Sequence, residues 1–509
     1  VQGFETDGDA LLIAERRIRL LGALDVQVEF FKEDFLEHVA RARLGRSQSD
    51  LFTDVARIEP DLVIANPPYV RTQILGAEKA QVLSQAFGLK GRVDLYHAFV
   101  LAITALLRDR GVLGIIVSNR FMTTRAGATV RECFLTNYRL RSIWDLGDTR
   151  LFSEAVLPAV VIAERDLRRN RNRDIPFVRT YSATLQGNAT RLETILDGLK
   201  QRVFGQVDVQ GQGFEITAGN LDHGPALDGV WRVASNASDT WLATVEANQH
   251  CAFRDLGKIR VGIKTTADKV FIRSDWASLP AAMRPEKQVL RALIGSRQTR
   301  KWRENASGTI PYVLYTHKIV DGKRVPVRLG DFPKASAYLH SHRRQLEARD
   351  YVIEANRNWY EIWVPQDPAA WARPKLVFRD IAETGEFLVD LEGKVVNGDC
   401  YWVVSPPGKE ELLWLAMAVG NSKFAGEFYD HKFHNKLYAG RRRFMSQYVE
   451  LFPLPNSNGP EARKLIALAK RIYASVDREV PEDIVAMERE VDRLVYEAFG
   501  LLELEEVAR

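Results

Sequence analysis

The pattern that most restricts this chain is an alternation over its first ~165 residues, where short apolar runs trade places with stretches of helical apolar spacing. Alternation of that kind predicts an α/β fold with a doubly wound, Rossmann-like sheet, because strand and helix bury their apolar faces by packing on one another. The runs predict strands at Val1–Phe4, Val26–Phe31, Asp61–Ala65, Val112–Ser118, Ser142–Leu146 and Pro158–Ala163. Helical spacing covers Asp9–Leu21 and Tyr96–Leu107, and Gly111 stands where a C-terminal stop belongs.

The polar, basic stretch Arg165–Asp174 reads as a domain boundary. Beyond it the pattern changes to short mixed strands rich in Trp and Tyr. The expected division is 1–184, 185–455 and 456–509, with a Pro/Asn/Gly linker at Pro453–Pro460 and amphipathic helices at Glu461–Ser475 and Glu482–Phe499. A chain of 509 residues is long enough for two or three cores. Its net charge of +5 permits a polyanionic partner without demanding one. Cys133, Cys251 and Cys400 are far apart and form no metal-ligand pair, so no metal site and a reducing cytoplasm are expected. The apolar run Leu412–Val419 is too short for a membrane span and reads as a buried helix. The chain opens at Val1 without Met, directly in an apparent core strand, so residues upstream are expected.

The sharpest signal is Asp61-Leu-Val-Ile-Ala-Asn66-Pro67-Pro68-Tyr69, an apolar strand running straight into Asn-Pro-Pro-Tyr. That places the tetrapeptide at the carboxyl end of a sheet strand, where α/β folds put ligands. The residue types suit an exocyclic ring amine, a poor nucleophile whose lone pair is delocalised. Two acceptors aimed at its N–H bonds, the Asn66 side-chain oxygen and the Pro67 carbonyl, would localise that pair. Consecutive prolines hold φ, so the carbonyl direction is set in advance. Asn66 is neutral and cannot act as a general base. Tyr69 offers a flat face for an extruded base. Without that chemistry the segment is a strand ending in a Pro-rich turn.

With these residues the chain resembles the amino-methyltransferases that carry Asn-Pro-Pro-Tyr, and among them the TaqI-like adenine-specific DNA methyltransferases. The resemblance implies S-adenosylmethionine as cofactor, double-stranded DNA as substrate and a flipped adenine as methyl acceptor. Gly3-Phe4-Glu5-Thr6-Asp7 is similar to the family's second motif, which assigns the cofactor's ribose hydroxyls to Glu5, with Thr6 beside it. Glu33-Asp34-Phe35 is similar to the third, with Asp34 accepting from the cofactor's adenine amine and Phe35 against its ring; the residues alone equally allow Asp34 to cap a helix. In Asp94-Leu-Tyr-His-Ala-Phe99, similar to the fifth motif, Phe99 would line the adenine pocket or simply pack in a core helix. Leu146-Gly-Asp-Thr-Arg-Leu-Phe152 resembles the eighth, in which Phe152 would close an aromatic sandwich with Tyr69, or else plug the core. The family's first motif, a Gly-rich turn after the first strand, is expected upstream of Val1.

The second domain resembles the family's target-recognition domain, with Ile259–Ile272 as its opening hairpin. Arg297, Arg300, Lys301 and Trp302 mix cations with an aromatic, and His431–Phe444, with Lys432, Arg441, Arg442 and Arg443, does so more densely. Both segments read as DNA contacts or as solvated basic faces. A cognate restriction endonuclease is the partner such enzymes imply. Competing readings are methylation of RNA or of a protein glutamine amide, a DNA-binding module without activity, and a fused nuclease, for which no Pro-Asp…Asp/Glu-x-Lys pattern is found.

Overall fold

The computed structural model describes residues 1–20, 27–44, 59–70, 77–89, 94–149, 151, 157–168, 174–185, 187, 189–224, 226–234, 236–305, 309–433, 441–475 and 481–502. The chain divides into two compact units, Val1–Ser235 and Asn236–Arg509.

The first unit is a mixed α/β body. Its strands are β1 (Gln2–Phe4), β2 (Glu29–Phe31), β3 (Leu62–Ala65), β4 (Val112–Ser118), β5 (Tyr138–Asp145), β6 (Pro158–Arg165), β7 (Pro176–Ser182), β8 (Thr190–Leu192), β9 (Gly205–Val209), β10 (Gln212–Asp222) and β11 (Arg232–Ala234). Helices α1 (Gly8–Leu20), α2 (Phe35–Leu44), α3 (Ala77–Phe87), α4 (Leu95–Leu106) and α5 (Ala128–Asn137) fall between the early strands. Strands β3 to β11 form one nine-stranded sheet in the order β3-β4-β6-β5-β7-β10-β9-β8, with β11 on β10, while β1 and β2 pair in parallel as a sheet of their own. Strands β3 and β4 are parallel, β6 runs against both β4 and β5, and β5 and β7 are parallel. The carboxyl ends of β3, β4, β5 and β7 therefore share one end of the sheet. Alternate residues Leu113, Ile115 and Val117 of β4 and Ala159, Val161 and Ala163 of β6 are buried, with Val100 of α4 and Phe134 of α5 in the same core.

All six expected strands are present, Val112–Ser118 with its expected ends and the other five with shifted ones. Two features differ. Arg165–Asp174 is no boundary: β7 follows it and pairs with β5, so the sheet runs on to Ala234. A run of charge reports solvation, and a connection between two strands of one sheet is as solvated as a linker. Gly111 is not the stop of α4, which ends at Leu106 with Leu107 extended as its cap; the left-handed residue of the following turn is Arg110, with φ 64°.

The second unit carries two four-stranded, antiparallel-rich sheets besides smaller two-stranded ones. One orders Arg260–Val261, Cys400–Val403, Lys375–Arg379 and Phe387–Asp390; the other orders Ile272–Arg273, Tyr312–Leu314, Leu290–Ile294 and Val395–Val396. The expected hairpin at Ile259–Ile272 does not form, since Arg260–Val261 and Ile272–Arg273 belong to different sheets. Helices Glu411–Asn421, Lys423–Phe433, Pro460–Ser475 and Pro481–Ala498 enclose the larger core. Residues 456–502 are thus part of this unit, and Pro453–Leu454 is a strand against Cys251–Ala252, not linker. Among the described residues no helix is long and apolar enough to cross a membrane.

Candidate active site

At the end of β3 the prolines remove two backbone donors, so the strand cannot continue. Asn66 is exposed, Pro67 is buried and Tyr69 is half-buried against the sheet core. The Tyr69 hydroxyl donates to Asn66 Oδ1 at 3.2 Å. Burial pushes the Tyr69 phenol up, so it stays a neutral donor. Past the turn, Leu95 N donates to the Val70 carbonyl at 2.7 Å, which ties its exit to the start of α4.

Asn66 and Pro67 open on a cavity of about 1670 Å³ that is also lined by Glu5, Thr6, Asp34, Phe35, Lys79 and Phe99. All five expected cofactor residues therefore meet around one space. Glu5, at the end of β1, turns one oxygen back onto the chain: Oε1 accepts from Thr6 N at 2.7 Å and Asp7 N at 2.9 Å. Asp7 caps α1, its Oδ1 accepting from Asp9 N at 2.8 Å. Asp34 Oδ1 accepts from Leu36 N at 2.8 Å and Glu37 N at 3.2 Å, so Asp34 does cap α2. Its other oxygen, Oδ2, takes no part in that cap and accepts from Lys79. The capping and acceptor readings of Asp34 are thus compatible. Phe35 and Phe99 stack directly, with ring centroids 5.5 Å apart and planes 20° from parallel. That spacing admits no third ring, so the two make a single aromatic wall.

Lys79 has no sequence signal, being an isolated cation 45 residues from Asp34. Its Nζ lies 2.8 Å from Asp34 Oδ2 and 2.7 Å from Glu37 Oε1. Hydrogen bonds to Asp34 and then Glu37 push the ammonium up, so it is charged.

The eighth-motif segment begins in the same sheet end. Asp145 closes β5, fully buried; Asn119 Nδ2 donates to Asp145 Oδ1 at 2.9 Å, and the Tyr181 hydroxyl to Oδ2 at 3.1 Å. Burial pushes the Asp145 carboxyl up, against those donors and Arg179. Gly147 N also donates to Asp145, at 3.1 Å, and takes φ 48°, where a Cβ would lie 2.2 Å from the Thr180 carbonyl. Only glycine fits that turn. Asn119 and Tyr181 were invisible in the sequence because their roles depend on strand neighbours. Phe152 lies outside the described residues.

In the second unit the expected basic segments are only partly available to a polyanion. Arg297 and Arg300 are exposed after strand Leu290–Ile294, Arg300 donating to the Thr299 carbonyl at 2.7 Å. Lys301 is half-buried, and Trp302 is buried with its indole N–H 2.7 Å from Glu488 Oε1. Lys432 pairs with Glu246 at 3.0 Å. Arg442 holds Asp430 in a two-pronged pair at 2.8 and 2.7 Å, and Arg443 holds Asp380 at 3.2 and 2.7 Å. Arg441 is exposed.

The chain matches the family of Eco57I restriction-modification methylases over residues 4–152. It is 37% identical over 506 residues to the type II methyltransferase M.BanIII of Aneurinibacillus aneurinilyticus, covering 98% of this chain and 86% of that one. It is 26% identical over 487 residues to M.PaeR7I of Pseudomonas aeruginosa, covering 89% and 73% respectively. Among solved structures, the type IIL restriction-modification enzyme MmeI in complex with DNA superposes with a TM-score of 0.55 at 12% identity, over 86% of this chain. This chain spans 54% of the MmeI chain, and an identity so low speaks to the fold alone. Identity of 37% along nearly the whole length decides the matter: the chain belongs to the type II DNA methyltransferases of restriction-modification systems.

Proposed function

We propose that this protein transfers a methyl group from S-adenosylmethionine to the N6 amine of an adenine flipped out of double-stranded DNA, in the manner of the TaqI-like enzymes. The observation that carries the reading is the meeting, around one cavity, of Asn66 and Pro67 with Glu5 and Asp34. An adenosine half fits those donors and acceptors. Glu5 has one oxygen committed to its own turn and a second for a diol, Asp34 offers a carboxylate to an amine, and the Phe35–Phe99 wall offers an apolar face. The bound cofactor would supply an activated methyl group.

The rest of the chemistry belongs to the chain. Asn66 Oδ1, oriented by the Tyr69 hydroxyl, accepts one N–H of the target amine, and the Pro67 carbonyl accepts the other. Both acceptors draw density onto the amine nitrogen as it gains positive charge, and being preorganised they need no rearrangement at that moment. No group in the turn is a base, so the proton leaves to solvent after transfer. The Tyr69 ring stacks on the base, and Phe152 is assigned the opposite face. Arg297, Arg300, Lys301, Lys432 and Arg441 are proposed to meet phosphates, and a cognate endonuclease would read the same DNA sequence.

Asn66→Ala in the full chain should lower methyl transfer by about 10²–10³-fold, since one preorganised partner of the transition state is lost. Cofactor affinity should stay close to wild type. Sequencing of methylated adenines in DNA from cells expressing each form reads the outcome. Equal methylation by wild type and variant would refute the assignment.

A further inference from the structure

Lys79 holds a position that the helix dipole alone would not favour for a cation. It sits in the first turn of α3, and it lines the cavity with 32% of its side chain exposed. The helix that carries it is firmly seated. Leu83 and Phe87 of α3 are buried with Leu36, Val39 and Ala40 of α2 and with Leu95, Ala98 and Ala102 of α4. The ammonium is therefore delivered to a defined point, between Asp34 and Glu37.

We propose that Lys79 is a positioning residue for recognition of the cofactor's adenine ring, holding Asp34 Oδ2 where it accepts from the ring amine. The proposal rests on the assignment of Asp34 to that amine. Asp34 Oδ1 is already spent on the N–H groups of Leu36 and Glu37, which leaves Oδ2 as the recognising atom. A carboxylate oxygen carries two lone pairs, so Oδ2 can accept from Lys79 at 2.8 Å and from a neutral amine together. Lys79 also separates two carboxylates that would repel. Without it, Asp34 and Glu37 turn apart and Oδ2 loses its fixed direction. The neighbouring Glu33 needs no such help, being paired with His38 at 2.6 Å and Arg41 at 2.5 Å.

The consequence is discrimination. A fixed Oδ2 favours a ring with an amine at that edge and repels one with a carbonyl oxygen there. The test is calorimetric affinity of the full chain for S-adenosylhomocysteine and for its deaminated counterpart S-inosylhomocysteine, with Lys79→Met, Lys79→Arg and Asp34→Asn alongside. Wild type should prefer the adenine form by about tenfold or more, because a site built around a hydrogen bond rejects the analogue that lacks it. Lys79→Met should reduce the preference to about threefold or less in a protein that remains folded, and Lys79→Arg should restore most of it. If Lys79→Met weakens both ligands equally, or leaves the preference intact while Asp34→Asn abolishes it, the role of Lys79 is overturned and that of Asp34 stands. If wild type shows no preference, or binds neither ligand, the reading of Asp34 falls and this one with it.

Discussion

Tyr69 does two separable things at the proposed site. Its hydroxyl orients Asn66 Oδ1, and its ring, half-buried against the sheet core, is the proposed stacking surface. Tyr69→Phe should therefore slow single-turnover methyl transfer by only about 2–10-fold, the scale of one hydrogen bond. Tyr69→Ala should cost a further 1–3 kcal/mol or so, the scale of one base stacked on an aromatic ring. Fluorescence of a 2-aminopurine placed at the target position would show loss of flipping in the alanine variant alone. Equal defects in both variants would mean that the ring contributes nothing. At the same scale, Asp7 caps α1, while Glu5 holds the turn after β1 with one carboxylate oxygen. The family resemblance singled out Glu5, Asp34, Phe35 and Phe99, which line one cavity, whereas Lys79 could be found only in three dimensions.

Among the elements, the short strand Arg442–Arg443 changes the meaning of the basic run 441–443. It pairs with Ile381–Ala382, and its two side chains clamp Asp430 and Asp380. Arg442→Ala and Arg443→Ala should therefore lower the melting temperature, while Arg441→Ala should leave it unchanged. Arg441→Ala should instead reduce the slope of log affinity for DNA against log salt by about one, the value for one phosphate contact. A flat result for Arg441 in filter binding across a salt series would remove it from the interface. A second cluster gives the unit a pH dependence. Burial alone would raise the Glu361 carboxyl, but donors from His317, Asn358 N–H and Arg357 outweigh it and hold the group at about 2. Its folded value thus lies below the ordinary 4.5, so its stabilisation is complete above pH 4.5 and fades as pH falls toward 2. Glu361→Gln should flatten that acid limb and cost about 2–3 kcal/mol near neutrality. Circular dichroism melts between pH 2 and 7 would check both.

At the scale of the molecule there are two compact units, whose main cores are closed by residues distant in sequence. Helices Pro460–Ser475 and Pro481–Ala498 place Leu465, Ile472, Val491, Leu494 and Val495 in the core built by residues 242–454. Leu494→Ala should cost about 2–5 kcal/mol, as for other fully buried leucines. Removing residues 456–509 should unfold the second unit outright, read by hydrogen exchange in Glu411–Asn421; intact protection there would contradict this packing.

What the linear chain determined by itself is the local grammar: period-2 and period-3.6 apolar patterning, the turn that two prolines impose after Ala65, and the types of residue gathered near strand ends. Those features are legible because each depends on neighbours within a few residues. Where the domains divide, which cations stay unpaired, whether Ile259–Ile272 is a hairpin and which lysine reaches Asp34 were decided only by the tertiary structure. The reason is physical: a charge in sequence carries no record of its counter-charge, and a strand none of its partner. Arg443 finds Asp380 and Lys79 finds Asp34 across loops whose closure has no local signature.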